Sequence, residues 1–259
     1  MNKWTLTNDD RGVYTLTITR EAQRNALDLD LIKGVTEVVD SLADNCRILI
    51  LGSVGDIFCA GADINWMKDS ATLSDDQNIE DAKTFARMLK TLDQAPFPTI
   101  ARVQGASLGG GVGLVSCCDV VVAAEPAQFA LSEVRLGIIP ATISPYVVNA
   151  IGPRASRRYF QSAERFNAKR AGEIGLVHEV CTLDELDSTI DKIVTAMLKC
   201  GPNAQAEAKR LVRDMATQGH DPHLIESLGD RLAAIRTGEE AQEGFAAFLE
   251  KRKASWVPD

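Results

Sequence analysis

Three short segments of this 259-residue chain hold the groups best suited to chemistry. In the middle one, residues 104–114, the cluster Gly109-Gly110-Gly111 stands where a helix is expected to begin. The first peptide N–H groups of a helix lack intrahelical partners, and the positive end of the helix dipole lies behind them. Bare glycine backbone lets a ligand approach closely, so such N–H groups can hold a phosphate or polarise a carbonyl oxygen. Close helix–strand packing accounts for a glycine cluster equally well. The pattern is neither a Walker loop, which needs Gly-Lys-Ser/Thr, nor a dinucleotide fingerprint. The first segment is residues 58–64, Phe58-Cys59-Ala60-Gly61-Ala62-Asp63-Ile64. The third, residues 128–140, carries Glu133, which can move protons if partial burial lifts its pKa toward working pH. The alternative is a solvated glutamate in a turn.

Other nucleophiles and metal ligands are poorly placed. Of Cys46, Cys59, Cys117, Cys118, Cys181 and Cys200, five lie in or beside apolar runs, and adjacent Cys117-Cys118 is not a secreted-scaffold spacing. They read as reduced thiols of a reducing compartment. His178, His220 and His223 sit in no nucleophile motif. His220-x-x-His223 would give only two ligands of a zinc site, so no metal centre is expected. The net charge of −8 argues against polyanionic partners such as nucleic acid or a membrane surface. No apolar run approaches the roughly 20 residues of a membrane span. Met1-Asn2-Lys3-Trp4 opens directly into a strand-like pattern, so a cytoplasmic protein without a leader is expected.

The elements that must position these groups follow from periodicity. Tyr14, Leu16 and Ile18 alternate with Thr15, Thr17 and Thr19, which predicts a hairpin of residues 4–7 and 13–19 around Asp9-Asp10-Arg11-Gly12. Asp28 is a candidate N-cap for a helix burying Leu31, Ile32, Val35, Val38, Val39 and Leu42. Residues 48–51 and 99–103 read as buried strands. A polar stretch follows Ile64, then a helix through Phe85, Met88, Leu89 and Leu92, stopped by Pro96 and Pro98. A helix over 112–117 and a strand over 120–123 continue a strand–strand–helix rhythm. From Ser144 onward nearly everything reads as helix, with segments at 183–198, 203–215, 222–235 and 239–251. The expected fold is α/β, with a core over residues 1–195. A helical C-terminal layer over residues 196–259 would cover a site or a subunit interface.

In order, spacing and flanking context the three segments together resemble the crotonase (enoyl-CoA hydratase/isomerase) superfamily. The resemblance extends to residues 20–27 and 244–253, and so to nearly the whole chain. It implies a spiral of β-β-α turns with C-terminal helices, assembled as a homotrimer or hexamer. It also implies an acyl-CoA thioester substrate and no cofactor beyond the coenzyme A of that substrate. By position, the backbone N–H groups of Ala62 and Gly110 would form an oxyanion hole for the thioester oxygen, with Glu133 as general acid/base. Ala60, Asp63, Ile64 and Asn65 would grip the CoA end, chiefly through backbone, and Arg24 with the Asn25-Ala26 backbone would meet its nucleotide. Phe248 and Lys251 would reach CoA from the C-terminal helix, often across a subunit boundary.

One position departs from the family pattern. Two-glutamate hydratases carry their first glutamate three residues after the middle glycine, where this chain has Gly113. The expectation is a one-carboxylate site in which the room beside Gly113 accommodates a branched or carboxylated acyl group. Residues 131–148 lack the glycine pair usual after Pro140. With residues 113–119 and 163–166, they resemble hydratases of branched glutaconyl-CoA thioesters. That points to methylglutaconyl-CoA in leucine breakdown, or isohexenylglutaconyl-CoA in acyclic terpene breakdown. Such a substrate brings a second carboxylate, for which Arg135, Lys68 and Arg87 are candidate partners. The rival enzyme reading is a Δ3,Δ2-enoyl-CoA isomerase, which needs one carboxylate. An RNA-binding role is disfavoured by the charge and by the lack of a basic-aromatic run.

Overall fold

The computed structural model describes residues 2–43, 45–70, 72–219 and 221–258, so His220 lies outside the described residues. The hairpin forms as read: β1 (Trp4–Asn8) pairs antiparallel with β2 (Val13–Ile18), Trp4 facing Ile18. Asp28 caps α1 (Leu29–Ser41) by accepting the Leu31 N–H.

From there the chain repeats one turn three times. A strand enters a six-stranded sheet, the next short strand enters a four-stranded sheet, and a helix or turn follows. β3 (Ile48–Ser53) is followed by β4 (Ile57–Cys59), then α2 (Ile64–Ser70) and α3 (Asp75–Asp93). β5 (Thr99–Val103) is followed by β6 (Ala106–Leu108) and α4 (Gly110–Cys117). β7 (Val120–Ala124) is followed by β8 (Gln128–Ala130), a 3-10 turn (Glu133–Leu136) and α5 (Ser144–Ser162). β3, β5 and β7 lie side by side and parallel, and so do β4, β6 and β8. This is the α/β spiral that the sequence led us to expect.

Three elements were not anticipated. β9 (Phe166–Asn167) adds antiparallel to β8, and β10 (Glu179–Cys181) adds parallel to β7, completing the order β1-β2-β3-β5-β7-β10. Two or three residues are too few to show period-two alternation, and these strands exist because a finished sheet edge receives them. α2 occupies the stretch read only as polar. Its cap is Asp63, whose carboxylate accepts the Asn65 N–H at 2.8 Å.

The main sheet is buried on both faces, which is why residues 48–51 form an uninterrupted apolar run. Leu49 and Leu51 point into the larger core shared with α1, α3 and α4. Ile48, with Val13, Ile100 and Val122, meets Leu186, Ile190, Val194 and Leu198 of the helix following β10. That helix (α6 being Ala168–Glu173) is α7 (Leu186–Leu198), which runs through the expected boundary at 195/196 and stays on the sheet. The helices away from the sheet are α8 (Pro202–Gln218), α9 (Pro222–Thr237) and α10 (Glu239–Glu250), close to the segments read from periodicity.

The step from β5 to β6 passes through Gly105, where an added Cβ would lie 1.8 Å from the Asp56 carbonyl oxygen. Backbone cannot yield there, so Gly105→Ala should destabilise by at least about 3 kcal/mol or abolish soluble expression. Gly229, inside α9 with open space around it, is the internal control. Gly229→Ala should stabilise by about 0.5–1 kcal/mol. Denaturant unfolding of both variants checks the pair.

Candidate active site

Because β4, β6 and β8 are adjacent and parallel, the three chemistry-bearing segments leave the same edge of the small sheet. Cys59 is in register with Ser107, and Leu108 with Ala130. The turn at Ala60-Gly61-Ala62 packs directly on the second segment: a Cβ on Gly61 would stand 3.0 Å from the Leu108 carbonyl oxygen. Leu27 braces that turn as a one-residue parallel bridge opposite Ala62. Its N–H donates to Gly61 O and its carbonyl accepts the Asp63 N–H, each at 2.7 Å. Parallel pairing of this kind leaves the N–H of Ala62 itself outside the bridge.

Gly110 is the first residue of α4, so its N–H has no intrahelical acceptor. Gly109 before it holds φ +49°, and a Cβ there would come 3.1 Å from Glu133 Oε1. Among the described residues neither the Ala62 nor the Gly110 N–H donates to a protein acceptor. Glu133 thus leans over the backbone that precedes the Gly110 N–H. Its Oε2 is buried and unpartnered among the described residues. Burial pushes the Glu133 pKa up, with its own backbone N–H offsetting part of the rise. These groups share a cavity of about 460 Å³ lined by Leu27, Trp66, Phe85, Leu136, Ile138 and Ile139, with Asp81 as its other ionisable side chain. Wider grooves beside Arg87 (730 Å³) and along the C-terminal helices (1110 Å³) include none of the three segments.

The structure changes several expected roles. Gly113 does not face the cavity. A Cβ there would lie 2.3 Å from Ile143 Cγ2 and 3.5 Å from Leu89 Cδ2, so packed side chains already fill the room assigned to an acyl group. The Asn25 side chain is buried and spent on the fold, accepting the Arg20 N–H and donating to Val54 O and Ile57 O. The N–H groups of Asn25 and Ala26 bond Arg20 O and Gln23 O, which leaves neither for a nucleotide. Ala60 donates to Arg24 O, and Asp63 and Asn65 donate to Leu27 O and Asp63 Oδ1. Any grip on CoA from this loop therefore avoids those three N–H groups. Burial works to raise the Asp63 pKa, but the Asn65 N–H and the Arg20 guanidinium outweigh it and hold the carboxyl low. Arg24 and Ile64 are exposed. Phe248, 83% exposed, and Lys251 lie on and beside α10 and do not line the cavity of their own chain.

Sequence reasoning missed the far wall of the cavity. Trp66 from α2 meets Phe85 edge-to-face at 6.5 Å and donates its indole N–H to Asp81 on α3. The helical period placed Phe85 inward, but nothing in the sequence revealed that α2 exists to bring Trp66 opposite it. Nucleophilic cysteine chemistry finds no support, since burial lifts the Cys59 and Cys118 thiols to about 12.

The enoyl-CoA hydratase/isomerase family model matches residues 8–258. The chain belongs to that family. An enoyl-CoA hydratase structure from Shewanella pealeana is 40% identical, with a TM-score of 0.95 over 98% of this chain and 96% of that one. Pseudomonas aeruginosa AtuE is 33% identical, with a TM-score of 0.95 over 99% and 100% of the two chains. The human mitochondrial methylglutaconyl-CoA hydratase is 31% identical over 95% of this chain and 74% of its own. A crotonyl-CoA hydratase of Syntrophomonas wolfei is 30% identical over 96% and 95%. As in this family generally, then, the chain is an enzyme of acyl-CoA thioesters.

Glu133→Gln should abolish most hydratase/isomerase turnover while leaving thioester binding within about threefold, since it removes a proton carrier and little volume. The same change should affect stability. A carboxyl with a raised folded pKa binds its proton more tightly folded than unfolded, so it destabilises increasingly as pH rises through that pKa. Glu133→Gln should therefore raise Tm at neutral pH and leave it unchanged at about pH 3, where both states are protonated. Gly113→Ala should cost about 1–3 kcal/mol by overpacking. A double-mutant cycle with Ile143→Ala should return part of that loss.

Proposed function

We propose that this chain hydrates a 2-enoyl-CoA thioester, or catalyses the reverse dehydration, through an enolate held between the Ala62 and Gly110 N–H groups. The supporting observation is the meeting, in one cavity, of two N–H donors and a half-buried carboxyl that find, among the described residues, no protein acceptor and no cation. The Glu133 carboxylate takes a proton from water as the water oxygen bonds to the β-carbon, and the thioester oxygen gains charge between the two donors. Glu133 then returns that proton to the α-carbon as the carbonyl re-forms. Loss of one donor of this kind costs about 10²–10³ in rate.

The finer reading, a 3-methylglutaconyl- or isohexenylglutaconyl-CoA hydratase, needs a cation for the substrate's second carboxylate. Lys68 and Arg135 are exposed and do not line the cavity, and Arg87 borders a different groove. The ionisable groups that do line it, Asp81 and Glu133, are both acidic. This favours an acyl chain without a second negative charge, and a glutaconyl group would have to find its cation on a neighbouring subunit. A trimer or hexamer would supply such neighbours and would also cover the exposed Phe248 and Leu249 of α10. A second reading, the isomerase, draws support from the Ile143 methyl that stands where a second carboxylate would need room.

A panel of crotonyl-, 3-methylcrotonyl-, 3-methylglutaconyl- and 3-hexenoyl-CoA, followed by mass and by the conjugated enoyl absorbance, separates these. We expect a gain of one water on the uncharged 2-enoyl thioesters, with kcat/KM at least about tenfold above that for 3-methylglutaconyl-CoA. Preference for the glutaconyl thioester would overturn the uncharged-chain reading. Conversion of 3-hexenoyl- to 2-hexenoyl-CoA without mass gain, and no hydration, would replace the hydratase by the isomerase.

A further inference from the structure

We infer that Arg20 is a positioning residue for the reaction, fixing the direction of the Ala62 N–H by clamping both sides of the bridge that carries it. The inference rests on the reading of Ala62 as an oxyanion donor. The Leu27–Ala62 bridge is one residue long and has only the two backbone bonds at Leu27 to hold it. Such an isolated pairing is weak on its own. A single guanidinium reaches the residues flanking it. Arg20 Nη1 donates to the Ala26 carbonyl, just before Leu27. Nη2 makes an ion pair with Asp28 Oδ2 at 2.8 Å, just after Leu27, and donates to Asp63 Oδ2 at 2.9 Å, just after Ala62.

Both carboxylates turn Oδ2 to Arg20 and Oδ1 to a helix start, and Asp28 Oδ2 also accepts from Lys3 Nζ at 2.7 Å. Asp28 Oδ1 caps α1 through the Leu31 N–H, and Asp63 Oδ1 caps the start of α2 through the Asn65 N–H. Arg20 therefore ties two helix starts and both partners of the bridge to one rigid plane. It is nearly buried and does not line the cavity, so it acts on substrate only through the loop. Lysine offers a point charge in place of a planar fork and cannot span these acceptors together.

The test uses a thioester labelled with ¹³C at the carbonyl, bound in a Glu133→Gln background so that it is not consumed. Infrared difference spectra then report how far the site polarises that carbonyl. We expect a clear shift to lower wavenumber, which Arg20→Lys moves back toward the free value. In the Glu133 form, Arg20→Lys should lower kcat by about 10–100-fold, as small misplacements do, with Kd for the thioester changed by less than about threefold. A purely structural role would lower Tm but leave the carbonyl shift of the folded, bound fraction as in the wild type. A folded Arg20→Lys variant with the wild-type shift and kcat would overturn the inference. If Arg20→Lys does not fold, Asp63→Asn keeps the cap and the volume, removes the charge Arg20 holds, and carries the same two outcomes. Absence of any carbonyl shift with Arg20 intact would overturn the oxyanion reading itself, and the role of Arg20 with it.

Discussion

The lateral pairing of β4, β6 and β8 is the constraint from which the site follows. Each strand is three residues long and would not hold together alone. Each is supplied by a longer strand of the main sheet a few residues earlier, and that sheet is buried on both faces. Large hydrophobic stabilisation therefore fixes β3, β5 and β7, and the small sheet inherits their parallel order. Parallel order in turn makes three loops leave the same edge, bringing Ala62, Gly110 and Glu133 to one cavity from three distant stretches of sequence.

What these loops present is backbone that the fold has left without partners. The Ala62 N–H lies outside its bridge, the Gly110 N–H is the orphan of a helix start, and Glu133 Oε2 is buried without a donor among the described residues. Each omission costs stability, and each leaves a group available for the proposed thioester chemistry. The surroundings are rigid where the chemistry needs it. Gly61 lies against Leu108, Gly109 lies beneath Glu133, and the carboxylates of Asp28 and Asp63 are held by Arg20. A preorganised donor pair stabilises developing charge without reorganising during the reaction.

Much of this was legible in the sequence, for identifiable reasons. Asp28 announced α1 because a cap and an apolar period coincide there. The three segments pointed to the site because, taken together, they resemble the family in order and spacing; the glycine cluster alone reads equally well as close packing. Roles that depend on tertiary neighbours were not legible. Gly113 looked like vacated room, yet Ile143 and Leu89, brought in from other helices, occupy it. Asn25 and Asp63 looked like ligand contacts, whereas their polar atoms are consumed by the loops they shape. Lys68, Arg87 and Arg135 carried the right charge for a dicarboxylate, but the helices and the turn that bear them keep them out of the cavity lining. β9 and β10 were too short to show a period, and only a pre-existing sheet edge makes them strands.

Formation of an enolate between Ala62 and Gly110 is tested most directly with a thioester that cannot be hydrated. A saturated acyl-CoA such as butyryl-CoA, incubated with the protein in deuterated water, reports enolisation alone through loss of its α-proton signal by nuclear magnetic resonance. We expect deuterium to enter one of the two α-positions stereospecifically, because Glu133 reaches the α-carbon from one face. Folded protein that binds butyryl-CoA and exchanges no α-proton would contradict the assignment of these groups as an enolate-forming site.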